Sequence, residues 1–387
     1  MKTFLWAILT SDSLALLCAI VLGSYTIFTL LLTFLWKKIQ VNFDAAETGN
    51  DFISVIVPVR NEAQNIRNLL TDLQTQTFPQ NRFEVLIMND GSSDETEEIV
   101  RAFIQTHSCD VKLITPADDT TKSPKKRAIE RGVAIAKGNL IVTTDGDCRM
   151  GSAWLHTIGH YHHTTGAKLI SGPVTFEPER TITDHLQAIE FASLVASGAA
   201  SIQAGYPSMC NGANLCYEKS AFMEVNGFEG VNHIASGDDE FLMHKIAAKF
   251  PEKIRFLKHQ SAIVYTKPHR NWSSFFRQRK RWASKWKHYQ SRTPLFLALY
   301  IFLSNFSLLM ATVLFFMGEI SNAQLAGLWA LKCIPEWIFL GSVLSFLQKK
   351  RSVYLIPLTQ LIYPLYVCFF GLAAQKKSYE WKGRKLT

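Results

Sequence analysis

Two kinds of hydrophobic pattern divide the chain. Leu14 to Leu35 is an apolar run almost free of charge, and ~20 such residues suffice for a helix to cross a bilayer. Pro294 to Met317, Ala323 to Leu347 and Tyr354 to Ala374 are three more runs of this kind. Between them the apolar residues come in short blocks. Phe52 to Val59 is β-branched and stops at Pro58 and a polar cluster, which predicts a buried first strand. Asn65 to Leu73 places Ile66, Leu69, Leu70 and Leu73 at helical spacing. Phe83 to Met88 predicts a second strand ending in Asn89-Asp-Gly-Ser-Ser-Asp94. Glu95 to Phe103 predicts a helix that Ser93 or Asp94 can cap. Val111 to Ile114 predicts a third strand, Lys125 to Ala136 a helix ended by Gly138, and Asn139 to Thr144 a fourth strand. Strand and helix alternate at βαβ spacing, so the expected fold is α/β, with a parallel sheet covered on both faces and helical membrane segments on either side.

Composition narrows this. The chain has 387 residues, 48% of them hydrophobic, and a net charge of +9, which excludes disorder and a single small domain. Lys37 and Lys38 follow the first apolar run, and Lys2 is the only charge before Asp12. That asymmetry places the following domain in the cytoplasm. The run is too long for the core of a signal peptide, and the chain after it lacks a disulfide pattern. At the far end, Gln348-Lys-Lys-Arg351 and the group Lys376, Lys377, Lys382, Arg384 and Lys385 both read as cytoplasmic. One straight span does not join two clusters on the same side. The last run is therefore re-entrant, helped by Pro357 and Pro364, or one end breaks the positive-inside tendency. Lys332 and Glu336 interrupt the second C-terminal run four residues apart and can face each other on one helix. They line a polar path or lock helices together. The seven cysteines form no C-x-x-C pair and read as reduced thiols. His160, His162 and His163 lack zinc-site spacing and are expected at the surface.

The strand ends carry the candidate chemistry. Arg60-Asn61-Glu62, Asp90, Asp145 and Asp147 collect at one sheet edge, where open α/β sheets bind ligands. Taken alone, Asp145-Gly-Asp147 is either an Asx-rich turn or a pair of hard oxygen ligands for a divalent cation that holds a diphosphate. Gly146 lets the backbone turn between the acids. Cys148 is a soft neighbour and a poor ligand for a hard cation. The first strand leads into Pro58-Val-Arg-Asn-Glu62 with no glycine, which argues against a dinucleotide-binding loop, and a Walker loop is absent. A nucleotide held by acids and a metal remains.

Five segments in order resemble the family 2 glycosyltransferases of GT-A fold. They are Val55-Ile-Val-Pro-Val-Arg-Asn-Glu62, Met88-Asn-Asp-Gly-Ser-Ser-Asp94, Thr144-Asp-Gly-Asp147, Gly237-Asp-Asp-Glu240 and Gln278-Arg-Lys-Arg-Trp282. The last fits the Q-x-x-R-W pattern of the membrane-bound branch that includes cellulose, chitin and hyaluronan synthases. The resemblance implies a donor site of Pro58, Arg60, Glu62, Asp90, Lys125 and Asp145. Glu62 and Asp90 accept hydrogen bonds from base and ribose, and Lys125 lies near the phosphates unless it belongs to a solvated basic helix face. It implies Mg²⁺ or Mn²⁺ on Asp145 and Asp147, and Asp239 as general base beside Asp238. It places Gln278, Arg281 and Trp282 at the acceptor and diphosphate, Arg281 gripping a phosphate oxygen and Trp282 stacking on a sugar ring. Asn211-Gly-Ala-Asn214 resembles the acceptor-side loop.

The aromatic and cationic residues Trp272, Phe275, Phe276, Arg277, Arg279, Lys280, Trp282, Lys285 and Trp286 also describe an interfacial helix. Its partner is expected to be lipid headgroups and not nucleic acid, because apolar spans adjoin it. The expected organisation is an N-terminal anchor over 1–40 and a cytoplasmic GT-A domain over 50–270. An interfacial segment over 271–292, helices over 293–375 and a basic tail over 376–387 follow. The expected protein is a multi-pass enzyme of the plasma (inner) membrane. It moves a sugar with inversion from a nucleotide diphosphate sugar, a UDP-sugar, to a polysaccharide or lipid hydroxyl. The alternatives are a single-addition lipid glycosyltransferase, a non-catalytic membrane scaffold and a sugar nucleotidyltransferase.

Overall fold

A computed structural model describes residues 11–40, 49–107, 109–115, 123–234, 236–284, 293–373, 379–381 and 384–386. Lys285, Trp286, Lys376, Lys377 and Lys382 lie outside these residues. The chain divides into two compact units, one of 1–35 and 283–377 and one of 36–282 and 378–387.

The larger unit is built on a seven-stranded sheet of order β3-β2-β1-β4-β8-β6-β9. The strands are β1 (Ile53–Val59), β2 (Phe83–Asn89), β3 (Val111–Ile114), β4 (Leu140–Thr143), β6 (Leu169–Ser171), β8 (Leu215–Glu218) and β9 (Ile254–Phe256). The helices between the first strands are α2 (Ile66–Gln74), α3 (Thr96–Thr106) and α4 (Pro124–Ile135). β2 is buried along its whole length and β1 along all of it but Pro58, as continuous apolar runs require when both faces are covered. Ile66, Leu69, Leu70 and Leu73 are the buried stripe of α2. β1 pairs in parallel with β2 and β4, and β2 with β3. Val59 lies opposite Asn89, so β1 and β2 end in line, whereas β4 ends earlier, with Thr143 opposite Ile56. Pro58 is tolerated because β4 has already stopped beside Ile56.

The sheet is mostly parallel, as the pattern requires, with one exception. β8 runs antiparallel to both β4 and β6. The chain re-enters the sheet from the turn Gly212–Asn214, at the edge where β4 ends, so β8 runs back alongside β4. A second sheet of three strands, β5 (Arg149–Met150), β10 (Val264–Thr266) and β7 (Val174–Phe176), follows the order β5-β10-β7. The remaining helices of this unit are α5 (Trp154–Thr165), α6 (Ile182–Gln203), α7 (Lys219–Glu224) and α8 (Glu240–Lys249). α9 (Trp272–Ser284) runs on from it.

Three local expectations change. Gly138 does not end α4, whose cap is Ala136; a Cβ at Gly138 would sit 2.5 Å from the Phe52 carbonyl oxygen. His160 and His162 are buried, and only His163 is exposed. His162 sits between Asp51 at 2.6 Å and Glu218 at 3.3 Å, an ion-pairing position and not a surface one. Among the described residues no group of three His, Cys, Asp or Glu side chains is placed to hold a metal alone.

The smaller unit is helical. It takes most of α1 (Ser11–Lys38), then α10 (Thr293–Phe316), α11 (Asn322–Phe346), α12 (Lys350–Val353) and α13 (Ile356–Ala373). Three segments, Ser11–Lys38, Leu295–Phe316 and Asn322–Phe346, are long and apolar enough to cross a membrane. The fourth expected span is shorter, an apolar helix over Ile356–Phe369 that contains Pro364. Lys332 and Glu336 pair at 2.7 Å, both buried, and the Tyr25 hydroxyl donates to the same Glu336 oxygen at 2.6 Å. Two helices are tied through one carboxylate, the locking arrangement of the two foreseen for this pair.

Candidate functional site

The polar ends of β1, β2 and β4 meet the first turn of α4 and the loop before α8. β4 ends at Thr143, buried Thr144 follows, and Asp145 and Asp147 are both half-buried. Gly146 has an ordinary backbone and is needed for space: a Cβ there would lie 2.9 Å from Glu62 Cγ and 3.1 Å from Val59 Cγ1. The acidic turn is thus packed directly on the end of β1. Asp147 Oδ2 accepts from the Thr266 hydroxyl at 3.1 Å. Cys148 is fully buried, and burial followed by the charges of Asp147 and Asp145 pushes its thiol well up. It remains a neutral thiol and no metal ligand.

α4 supplies the cation of this edge. Pro124 opens the helix, a position that suits its fixed φ. Lys125 Nζ lies 2.9 Å from Asp145 Oδ1 and 3.1 Å from Asp238 Oδ2. It is the bridge between the two acidic motifs, not part of a solvated basic face. Burial lowers its pKa, but Asp145, Asp238 and Asp239 outweigh that and hold the ammonium well above its ordinary range. Burial raises the Asp238 carboxyl, and Lys125 more than reverses this, so Asp238 is ionised. Ser123 Oγ donates to Ile234 O at 2.7 Å, and Lys126 Nζ to Val231 O at 2.7 Å and Ile234 O at 2.9 Å. These bonds tie the start of α4 to the loop that carries Asp238 and Asp239.

Asp239 caps α8. Its Oδ1 accepts from the Glu240 N–H at 2.8 Å and its Oδ2 from the Gly212 N–H at 3.1 Å. Thr143 Oγ1 donates to Gly212 O at 2.9 Å, so the last residue of β4 fixes the glycine that orients Asp239. A Cβ on Gly212 would lie 3.1 Å from Asp238 Oδ2. Asn211-Gly-Ala-Asn214 therefore reaches the acids directly.

On the β1–β2 side the groups are more enclosed. Glu62 and Asp90 are buried. Asp90 Oδ1 accepts from Arg127 Nη2 at 3.0 Å, and Arg60 Nη1 donates to Asp90 O at 2.6 Å and Gly91 O at 3.1 Å. Glu62 Oε2 accepts from Asn65 Nδ2 at 2.7 Å. Asp94 joins the two loops, accepting from the Ala63 N–H at 3.0 Å and the Thr96 N–H at 3.1 Å. Arg127 was not among the expected site residues. The signal was present: Lys125, Lys126 and Arg127 are successive on a helix, about 100° apart, so they do not share one solvated face.

The structure does not expose the fifth motif as a free aromatic surface. Trp282 is partly buried against the core, stacked on Phe191 at 6.0 Å between ring centroids. The Arg279 guanidinium covers it at 4.2 Å. Arg279 pairs with Glu190 of α6 and donates to Gln278 Oε1 at 3.0 Å, and Gln278 hydrogen-bonds His269. The buried cation is thus Arg279, while Arg281 is only half-buried.

Comparison with known proteins agrees with this architecture. The family model for glycosyl transferase family 21 matches residues 15–387. Glycosyltransferase AglE of Haloferax volcanii is 29% identical over 188 residues, 49% of this chain and 59% of that protein. Poly-β-1,6-N-acetyl-D-glucosamine synthase of Staphylococcus epidermidis is 26% identical over 175 residues, 45% of this chain and 41% of that protein. The chain spans about half the length of these relatives. The structure of mannosyltransferase PcManGT from Pyrobaculum calidifontis in complex with GDP-Man and Mn²⁺ matches with a TM-score of 0.59 at 17% identity. That match covers 92% of this chain and 99% of the other, and it shows the fold. The chain belongs to glycosyl transferase family 21, a GT-A-like clade of the family 2 glycosyltransferases.

Proposed function

We propose that this protein transfers a sugar from a nucleotide diphosphate sugar, a UDP-sugar, to a hydroxyl of a polysaccharide or lipid, with inversion at the anomeric carbon. One observation carries the reading. Asp145 and Asp238, from motifs far apart in sequence, lie 2.9 and 3.1 Å from the same Lys125 ammonium. That arrangement supports reading the two motifs as parts of one site, with Asp145 on the diphosphate side and Asp238 beside the base.

Asp145 and Asp147 fit a hard divalent cation. They are half-buried oxygen donors one residue apart, and the only nearby thiol is held protonated. Two carboxylates leave coordination positions for diphosphate oxygens and water. Bound there, Mg²⁺ or Mn²⁺ would neutralise charge on the departing diphosphate. Asp239 takes the proton from the acceptor hydroxyl, and its two backbone N–H partners aim the carboxylate. The acceptor oxygen bonds to the anomeric carbon from the face opposite the leaving group. The bond from that carbon to the phosphate oxygen breaks, and the nucleoside diphosphate departs. A single displacement of this kind inverts the centre. Asp90, held by Arg127, and Glu62 serve the nucleoside, with Pro58 and Arg60 shaping that wall. Arg281 and Gln278 serve the diphosphate and acceptor, and Trp282, packed on Phe191, acts by positioning them. The sheet unit faces the cytoplasm and the apolar helices anchor it.

The test uses the full chain in detergent or vesicles with labelled UDP- and GDP-sugars and Mg²⁺ or Mn²⁺. Transfer from a UDP-sugar with release of UDP is expected. A product ladder identifies a polymer acceptor, and one added sugar on lipid identifies single addition. Release of pyrophosphate, or no turnover with any donor, overturns the reading.

A further inference from the structure

The cation position at Asp145 is already filled by the protein. Lys125 Nζ is 2.9 Å from Asp145 Oδ1 and 3.1 Å from Asp238 Oδ2, against a carboxylate proposed to hold the metal. The two cations beside it in sequence are committed elsewhere, Lys126 to the 231–234 loop and Arg127 to Asp90. About a fifth of the Lys125 side chain reaches solvent, so its head group can leave without α4 unfolding. An ammonium on a four-carbon stem also moves more easily than a guanidinium fork. A bare divalent cation approaching Asp145 therefore meets a like charge, and eviction costs that ammonium one of its two carboxylate partners, leaving only Asp238. A diphosphate changes this balance, because its oxygens accept from the displaced ammonium.

We propose that Lys125 occupies the metal's place at Asp145 in the donor-free protein and is handed to the diphosphate when donor binds. Metal and diphosphate then enter as a coupled pair. The coupling is reciprocal: diphosphate tightens the metal by the factor by which the metal tightens diphosphate. This inference rests on the assignment of the metal to Asp145 and Asp147. It adds that the lysine acts as a competitor of the bare metal as well as a phosphate ligand.

The measurement is Mn²⁺ binding to the full chain in detergent, followed by loss of the free-ion paramagnetic signal, first without nucleotide and then with UDP. The wild type is expected to bind bare Mn²⁺ weakly and to gain at least about tenfold with UDP, a typical coupling. Lys125→Met is expected to bind bare Mn²⁺ roughly tenfold more tightly than wild type, because one repelling charge is gone, and to gain less from UDP than wild type does. Lys125→Gln makes the same prediction with a polar head group, in case the apolar variant does not fold. Lys125→Arg keeps the charge and the weak bare-metal affinity. Bare-metal affinity in the Met or Gln variants equal to or weaker than wild type overturns the inference. The metal assignment fails separately, if Asp145→Asn leaves Mn²⁺ binding unchanged.

Discussion

The two ends of the sheet both carry buried acids, and they use them differently. At the ends where β1, β2 and β8 respectively start or finish, away from the proposed site, Glu84 is fully buried and saturated. It accepts from Lys112 Nζ at 2.7 Å, Ser54 Oγ at 2.7 Å and the Lys137 N–H at 2.6 Å. Asp51 and Glu218 share His162, and Lys168 Nζ adds 2.5 Å to Glu218. A cavity of about 470 Å³ opens there, lined by Lys137, Asn139, His162, Glu218 and Lys219 among others, but most of its charged walls are already paired. At the opposite end, Asp145 keeps 38% of its side chain exposed, and its ion pair is with the displaceable Lys125. A cavity alone does not make a site. Unused ligand capacity does: a saturated acid holds the fold, and an acid with open lone pairs and one movable cation can take a ligand.

Substitutions at the two ends should therefore separate activity from stability. The largest effect is expected from Asp239→Asn, which keeps a good helix N-cap but removes the base. Turnover at saturating donor should fall by about 10²–10⁴, with only a modest drop in melting temperature from the amide that mismatches one of the two backbone N–H donors. Undiminished turnover would move the base to another residue. Next comes Asp145→Asn. Losing a charged ligand costs about 1.5–3 kcal/mol, or roughly 10–100-fold in metal-dependent donor affinity. Isothermal titration with UDP and Mn²⁺ measures it, and equal affinity in the variant would break the contrast between the ends.

Glu84→Gln probes the other end. Burial raises the Glu84 carboxyl, but Lys112, the Lys137 N–H and Ser54 outweigh it, so the group is ionised and held below the usual carboxylate range. The amide loses the charge and mismatches one donor. Because Lys112 is 40% exposed, the cost belongs at the low end for a charged hydrogen bond, about 1–2 kcal/mol. The melting temperature should drop while turnover per folded molecule stays at the wild-type value. A turnover loss without a stability loss would reverse the roles given to the two ends.

Sequence made one of these ends much more legible than the other. β1 and β2 are apolar blocks with strand partners on both sides, so their pattern determines where they end. Their ends, with that of β4, place Glu62, Asp90, Asp145 and Asp147 on one edge. Beyond Met150 the strands shorten to three or four residues, too few for a period to show, and the antiparallel β8 and the second sheet had no readable signal. Gly212 acts through Asp239, 27 residues away, which no local pattern encodes, and for Arg127 the helical spacing separates it from Lys125 but does not name its partner Asp90, 37 residues away. The motif containing Trp282 was legible as a motif but not as a geometry, because the aromatic partner Phe191 lies on α6. The histidine group was misplaced for a similar reason: its partners Asp51 and Glu218 are distant in the chain and adjacent only across the sheet end.

His162 gives the smallest and most conditional effect. Burial alone would lower its pKa, but the hydrogen bonds and charges of Asp51 and Glu218 raise it above the ordinary 6.5. A raised folded pKa means that the native state holds its proton more tightly than the unfolded chain does. The stabilisation is therefore complete below about pH 6.5 and fades as pH rises through the folded value. At still lower pH the depressed Asp51 and Glu218 carboxyls begin to titrate and remove the same pairing. Wild-type melting temperature should thus decline on going from pH 6 to pH 9, and His162→Gln should flatten that part of the decline while lowering the melting temperature at pH 6. Donor and metal affinity in the His162→Gln protein should match wild type at every pH, because the saturated end of the sheet takes no part in binding. A change in either affinity would mean that the two ends are coupled through β4 and β8.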